Sequence, residues 1–165
     1  MASISGANTI VLKASYSEGG TECEEGPINA IGYPGMAVTL ASNAESLGRH
    51  TYALGGTDYV GTGTNVTTSK APVWVLKEDA LRGQGVNDAY AANDNCFVHI
   101  AKSGDHLQVL VASGQTIVKG GGLSANSSGA SIGKWVADST NAAVIALENS
   151  NGALAADTLV RVKVP

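Results

Sequence analysis

Phe97-Val98-His99-Ile100-Ala101-Lys102-Ser103-Gly104-Asp105-His106-Leu107-Gln108-Val109-Leu110-Val111 decides the class of this fold. Two runs of apolar and β-branched residues flank Ser103-Gly104-Asp105, where glycine supplies backbone freedom that other residues lack. The spacing predicts a tight β-hairpin with one strand on either side of the turn. The device recurs at Ser113-Gly114, Gly120-Gly121-Gly122, Ser128-Gly129 and Asn151-Gly152. The last strand, Leu159-Val160-Arg161-Val162-Lys163-Val164, alternates strictly. Alternation sets Val160, Val162 and Val164 on one face, and Leu159, Arg161 and Lys163 on the other. Short strands bounded by turns predict an all-β domain, a small barrel-like or sandwich fold with minor helix.

Upstream, Pro72-Val73-Trp74-Val75-Leu76 is apolar on both faces and is expected to be a strand buried on both. Met36-Ala37-Val38-Thr39-Leu40 is a second strand candidate. The predicted single core contains Val38, Leu40, Val75, Val98, Ile100, Leu107, Val109, Val160 and Val162. Ser42-Asn43-Ala44-Glu45 has capping-box spacing, but no amphipathic run follows, so a turn is expected there. Residues 55–70 hold four glycines and five threonines and are expected to form an exposed loop, with a short strand at Asp58-Tyr59-Val60. Lys77 to Asn95, broken by Arg82-Gly83-Gln84-Gly85, accommodates a short helix or a broad loop.

The first 33 residues differ in character. Thr9-Ile10-Val11-Leu12-Lys13-Ala14 is a strand without a local hairpin partner, so it must pair with a distant strand or with another chain. Behind it, Ser17 to Pro27 is polar, acidic and punctuated by glycine, as a linker is. The expected division is therefore an N-terminal attachment arm over 1–33 and a β-rich domain over 34–165. Thr9, Ile10, Val11, Leu12, Lys13 and Ala14 are the candidate partner-contact residues, acting by strand addition to a neighbouring sheet edge.

At 165 residues the chain is long enough for one domain with an ordinary core. Domains of that size bury about 68–70% of their unfolded surface. The net charge is −4, and the ten lysines and arginines are dispersed along the sequence. Nucleic-acid binding and electrostatic membrane anchoring both need clustered cations, so neither is expected. Met1 to Asn8 lacks the basic and apolar regions of a signal peptide. The longest apolar run, Ala142 to Leu147, is six residues, against about 20 for a membrane span. Cys23 and Cys96 have no metal-ligand spacing, and both thiols are expected to be free.

No catalytic constellation emerges from the motifs. His50, His99 and His106 are the histidines, and no Gly-x-Ser-x-Gly nucleophile elbow accompanies them. Glu18, Glu22, Glu24 and Glu25 gather carboxylates without the Asp-x-Asp-x-Asp-Gly order of a calcium loop. Gly61-Thr62-Gly63-Thr64 and Gly120-Gly121-Gly122 lack the residues that complete a phosphate cradle. Lys102 and Lys119 lack the Met-Lys-Met or Asp-Lys-Ala setting of a carrier domain's modified lysine. No enzymatic activity, cofactor or metal is expected.

The order of several short segments carries a resemblance. Pro34-Gly35-Met36-Ala37-Val38-Thr39-Leu40 is followed by Val75-Leu76-Lys77-Glu78 and then by Ser103-Gly104-Asp105-His106-Leu107-Gln108-Val109-Leu110. Val144-Ile145-Ala146-Leu147-Glu148 and Asp157 to Val164 close the series. This succession, over residues 34–165, resembles the capsid decoration (cement) proteins of tailed bacteriophages. The resemblance implies a β-tulip or barrel-like fold without enzymatic activity. It also implies a homotrimer, made in the host cytoplasm, that binds the major capsid protein on the outside of the head at three-fold or quasi-three-fold sites and stabilises it. The alternative from another class is a carbohydrate-binding or adhesive β-sandwich, with Trp74 or Trp135 as a sugar platform.

Overall fold

The computed structural model describes residues 2–3, 9–13, 23–46, 49–55 and 73–165. Its first strands are β1 (Ala2–Ser3), β2 (Val11–Lys13), β3 (Cys23–Pro27), β4 (Val38–Ser46), β5 (Arg49–Leu54) and β6 (Val73–Leu76). They are followed by β7 (Asn95–Ala101), β8 (His106–Val111), β9 (Gly122–Ala125), β10 (Trp135–Ala137), β11 (Val144–Ala146) and β12 (Thr158–Lys163). Helical structure among the described residues is confined to single 3-10 turns at Ala80–Arg82 and Gly129–Ser131. The chain is all-β, as its alternating segments require.

Its main body is a closed five-stranded barrel. Going round, β12 pairs with β11, β11 with β9, β9 with β10, β10 with β8, and β8 returns to β12. The closing pair is the longest, running antiparallel from Thr158 opposite Val111 to Lys163 opposite His106. Closure removes the exposed sheet edges that an open sheet would leave. Leu107, Val109, Val111, Leu123, Val144, Val160 and Val162 are all withdrawn from water. Each such side chain contributes about 1.5–3 kcal/mol by burial. β1 and β2 flank the barrel, on β12 and β8 respectively.

The predicted hairpin around Ser103-Gly104 is not one. Its two strands lie in different sheets: β7 pairs with β3 and β6, whereas β8 belongs to the barrel. The turn itself forms as the sequence demands. Gly104 has φ +92°, and the Asp105 amide donates to the Lys102 carbonyl at 3.0 Å. The pairing partner of β8 is decided by a distant segment. The Gly104 amide donates to the Val164 carbonyl and the Val164 amide to the Asp105 carbonyl, both at 2.9 Å. The C-terminal strand thus takes the edge of β8 that a hairpin would have given to β7.

Gly35 joins the two layers. Its amide donates to the Leu76 carbonyl of β6 at 2.9 Å, and its carbonyl accepts the Leu110 amide of β8 at 2.9 Å. The same carbonyl accepts the Trp135 indole N–H at 3.1 Å. Gly35 has φ +89°, and a Cβ there would stand 2.7 Å from Leu159 Cδ2 and 2.8 Å from the Leu110 amide nitrogen. The fit is also why Leu159, placed outward by alternation, is buried. Of the predicted core, Val38, Val75, Val98, Leu107, Val109, Val160 and Val162 are buried within one cluster, and Leu40 packs against it. Ile100 is half-buried.

Other expectations are corrected in the N-terminal half. The segment expected to be a linker is in part a strand, because β3 pairs with β7 along all five residues. Edge pairing uses the main chain and needs no apolar side chain, so the composition concealed it. Glu24 accepts the Tyr52 hydroxyl at 2.6 Å and Glu25 accepts the Asn95 amide at 3.1 Å. A Cβ on Gly26 would stand 2.1 Å from the His50 carbonyl oxygen, and Ile28 is fully buried. Residues 23–33 are therefore laid into the body and do not stand off it as an arm. Ser42 to Glu45 is strand rather than turn, within β4, with a register irregularity between Leu40 and Glu45. The loop expected at 55–70, with its strand at 58–60, lies from residue 56 onward outside the described residues.

Candidate attachment surface

The structure places five of the six candidate contact residues; Ala14 lies outside the described residues. Thr9 and Ile10 lead into β2 and are fastened to the body. The Thr9 hydroxyl and the Ile10 amide both donate to the Glu78 carboxylate. Gln108, itself fully buried, donates from its side-chain amide to the Thr9 carbonyl and from its main-chain amide to the Ile10 carbonyl, each at 2.7 Å. Ile10 is completely buried and so is a core residue, not a contact.

The strand pairs with its own barrel. Val11 stands opposite Leu107 and Lys13 opposite His106, with a bulge between. Val11 and Leu12 are half-buried and Lys13 is exposed. β2 ends its sheet, so no strand pairs with its outer edge among the described residues. An edge of this kind presents unpaired N–H and C=O groups to a partner. The edge left unpaired among the described residues is therefore the outer edge of Val11–Lys13, fixed in position by Ile10.

The histidines are dispersed by the fold. His50 is exposed on β5. His99 and Asp105 are buried as a pair, Nε2 to Oδ2 3.1 Å, and the same Asp105 oxygen accepts the Lys102 amide at 2.9 Å. Both groups thereby brace the turn between layers, which is how buried polar groups are ordinarily satisfied. His106 lies half-buried between Lys13 and Lys163, a juxtaposition that positions 13, 106 and 163 do not announce. Period-two alternation of Arg161 and Lys163 was the one available signal for it.

Both thiols are unbridged. Cys96 faces Gly26 across the β3–β7 ladder while Cys23 faces His99, so the register holds them three residues out of step. Burial pushes the Cys96 thiol up to about 12. Burial raises Cys23 as well, with Lys77 opposing it and Glu25 adding to it. Trp135 is fully buried, and Trp74 is half-buried with its ring edge-on to Tyr52 at 6.1 Å and 70°. Neither indole lies open as a sugar platform. Tyr52 is raised far above the ordinary phenol range, by burial first and then by its bond to Glu24.

A closed five-stranded barrel with an annexed three-stranded sheet and one long hairpin defines the class of fold. Among solved structures it is similar to the head fiber gp8.5 N base of bacteriophage phi29. The likeness covers 88% of this chain and 95% of that one, with a TM-score of 0.51 and 10% sequence identity. At that identity it establishes a shared fold. No protein-family model matches the chain, and no curated protein matches its sequence.

Proposed function

We propose that this chain is a structural protein of a bacteriophage head, a decoration subunit bound to the outer surface of the capsid. The observation that carries the reading is the fold shared with a head-fibre base over most of both chains. The ordered segments from Pro34 to Val164 that resemble decoration proteins support it independently. In this reading the partners are the major capsid protein and further copies of the chain, grouped as homotrimers at three-fold or quasi-three-fold sites and stabilising the shell. The role is non-enzymatic and needs no cofactor, nucleic acid or membrane. The subunit is made in the host cytoplasm and ends on the virion surface, with the outer edge of β2 as an attachment edge.

Virions purified by gradient from an infection that expresses the protein test this reading. The chain should co-sediment with heads, be accessible to antibody on intact particles, and have three-fold-related density by cryo-microscopy. Its presence only in the soluble fraction would overturn the assignment. Density away from three-fold positions would overturn the trimer alone.

A further inference from the structure

Lys13, His106 and Lys163 lie side by side on three neighbouring strands. The β2–β8 register sets Lys13 opposite His106, and the β8–β12 register sets His106 opposite Lys163. Arg161, two residues before Lys163, is exposed with it. The bulge in β2 creates the row. Val11 faces Leu107, and an unbroken antiparallel register would then bring Leu12, not Lys13, to His106. Three of the ten lysines and arginines of a chain with net charge −4 thus share one wall.

Lys13 and Lys163 stand two strand spacings apart, roughly 10 Å, on either side of His106, so like charges gather on one face and repel weakly. Among the described residues two carboxylates, Glu78 and Glu148, border the wall, but each holds main chain. Glu78 accepts the Ile10 amide at 3.1 Å, and Glu148 accepts the Arg161 amide at 2.6 Å. Among the described residues no ion pair joins Lys13, Arg161 or Lys163 to a carboxylate. Protection of a sheet rim accounts for a lysine on β2. It does not account for Lys163 and Arg161, which lie two strands inward.

We propose that this wall binds an acidic protein surface that presents an extended segment to the outer edge of β2, which no strand covers among the described residues. Main-chain hydrogen bonds from Val11–Lys13 would supply affinity, and the cations would select carboxylates over apolar or basic strands. Carboxylates brought to the row would also relieve its repulsion. Nucleic acid fits less well, since three cations displace few counterions and phosphates make no use of a strand edge. The inference rests on reading β2 as an attachment edge and adds the chemistry of what attaches.

The test titrates the intact chain with a labelled short peptide alternating Glu and Val, with its Lys–Val counterpart and with oligothymidylate. The Glu peptide should bind, weaken with added salt, and slow hydrogen exchange at the amides of Val11–Lys13. The double variant Lys13→Glu, Lys163→Glu should lose about tenfold in affinity, a usual effect of reversing charge at an interface. Its melting temperature should not fall, because removing repulsion does not destabilise the fold. Equal binding of the two peptides, binding of neither, or tighter binding of oligothymidylate overturns the inference. If the wild-type chain co-sediments with heads while both peptides fail, attachment stands and its charge chemistry falls. If the Glu peptide binds and heads do not, the capsid reading falls instead.

Discussion

β12 and β2 are both strands that the sequence announces by their apolar residues, and the fold treats them oppositely. β12 is enclosed, with β8 along its whole length on one side and β11 and β1 on the other. β2 is three residues long, bulged, and paired on one side only among the described residues. Closure makes the first inseparable from the core. The second is held by a single buried anchor, Ile10, and by side chains reaching from Glu78 and Gln108. A strand of the second kind can keep its place and still offer an edge to a partner.

The largest expected effect comes from removing residues 1–33. That deletion takes away β3 and the buried Ile10 and Ile28 along with β2. The remaining chain should show no cooperative thermal transition; a wild-type melt would mean that β3 and Ile28 are dispensable after all. Next is Gly35→Ala, whose new methyl would press on Leu110 main chain at 2.8 Å from a backbone at φ +89°. Because main chain cannot yield there, a loss of about 4 kcal/mol or more in denaturant unfolding is expected. A loss below about 1 kcal/mol would break the view that Gly35 fixes the layers together.

A matched pair sharpens the contrast between strands. Leu107→Ala empties a fully buried site of the barrel and should cost about 3 kcal/mol. Val11→Ala, across the same register position on half-buried β2, should cost about 1 kcal/mol or less. Equal losses would erase the distinction between closed body and rim.

The smallest effect concerns Asp157, whose carboxyl is held below its ordinary value. Partial burial works against that, and the Lys134 hydrogen bond at 2.7 Å and the Ser113 amide outweigh it. A depressed carboxylate contributes stability above its unfolded value and loses it as pH falls through its folded value. Asp157→Asn should therefore lower stability at neutral pH by under about 1 kcal/mol, since the pair is partly exposed. The difference from wild type should vanish in acid, and a difference that persists there would show that the effect is packing.

What was legible in the sequence was local. Gly104, Gly114, Gly120, Gly129 and Gly152 all adopt positive φ, at turns their dipeptides marked. Alternation in β12 correctly assigned Val160, Val162, Arg161 and Lys163, and missed only Leu159, which Gly35 covers from far upstream. The strand in Cys23–Pro27 was hidden because pairing through main chain leaves no hydrophobic signature. The segment Thr9 to Ala14 was legible as a strand, but its burial at Ile10 and its bulge were not.

The sequence by itself determined that the chain is β, where its glycines turn it, and which valines of its last strand leave water, since these properties come from backbone freedom and period-two hydrophobicity over a few residues. Only the tertiary structure decided that β7 and β8 part company, that β12 closes the barrel, and that Lys13, His106, Arg161 and Lys163 share a wall. The physical reason is that strand pairing is a competition for edges. β8 has two edges, and β12 and the β2–Gly35–β10 side occupy them, so nothing remains for the neighbour that precedes it in the chain.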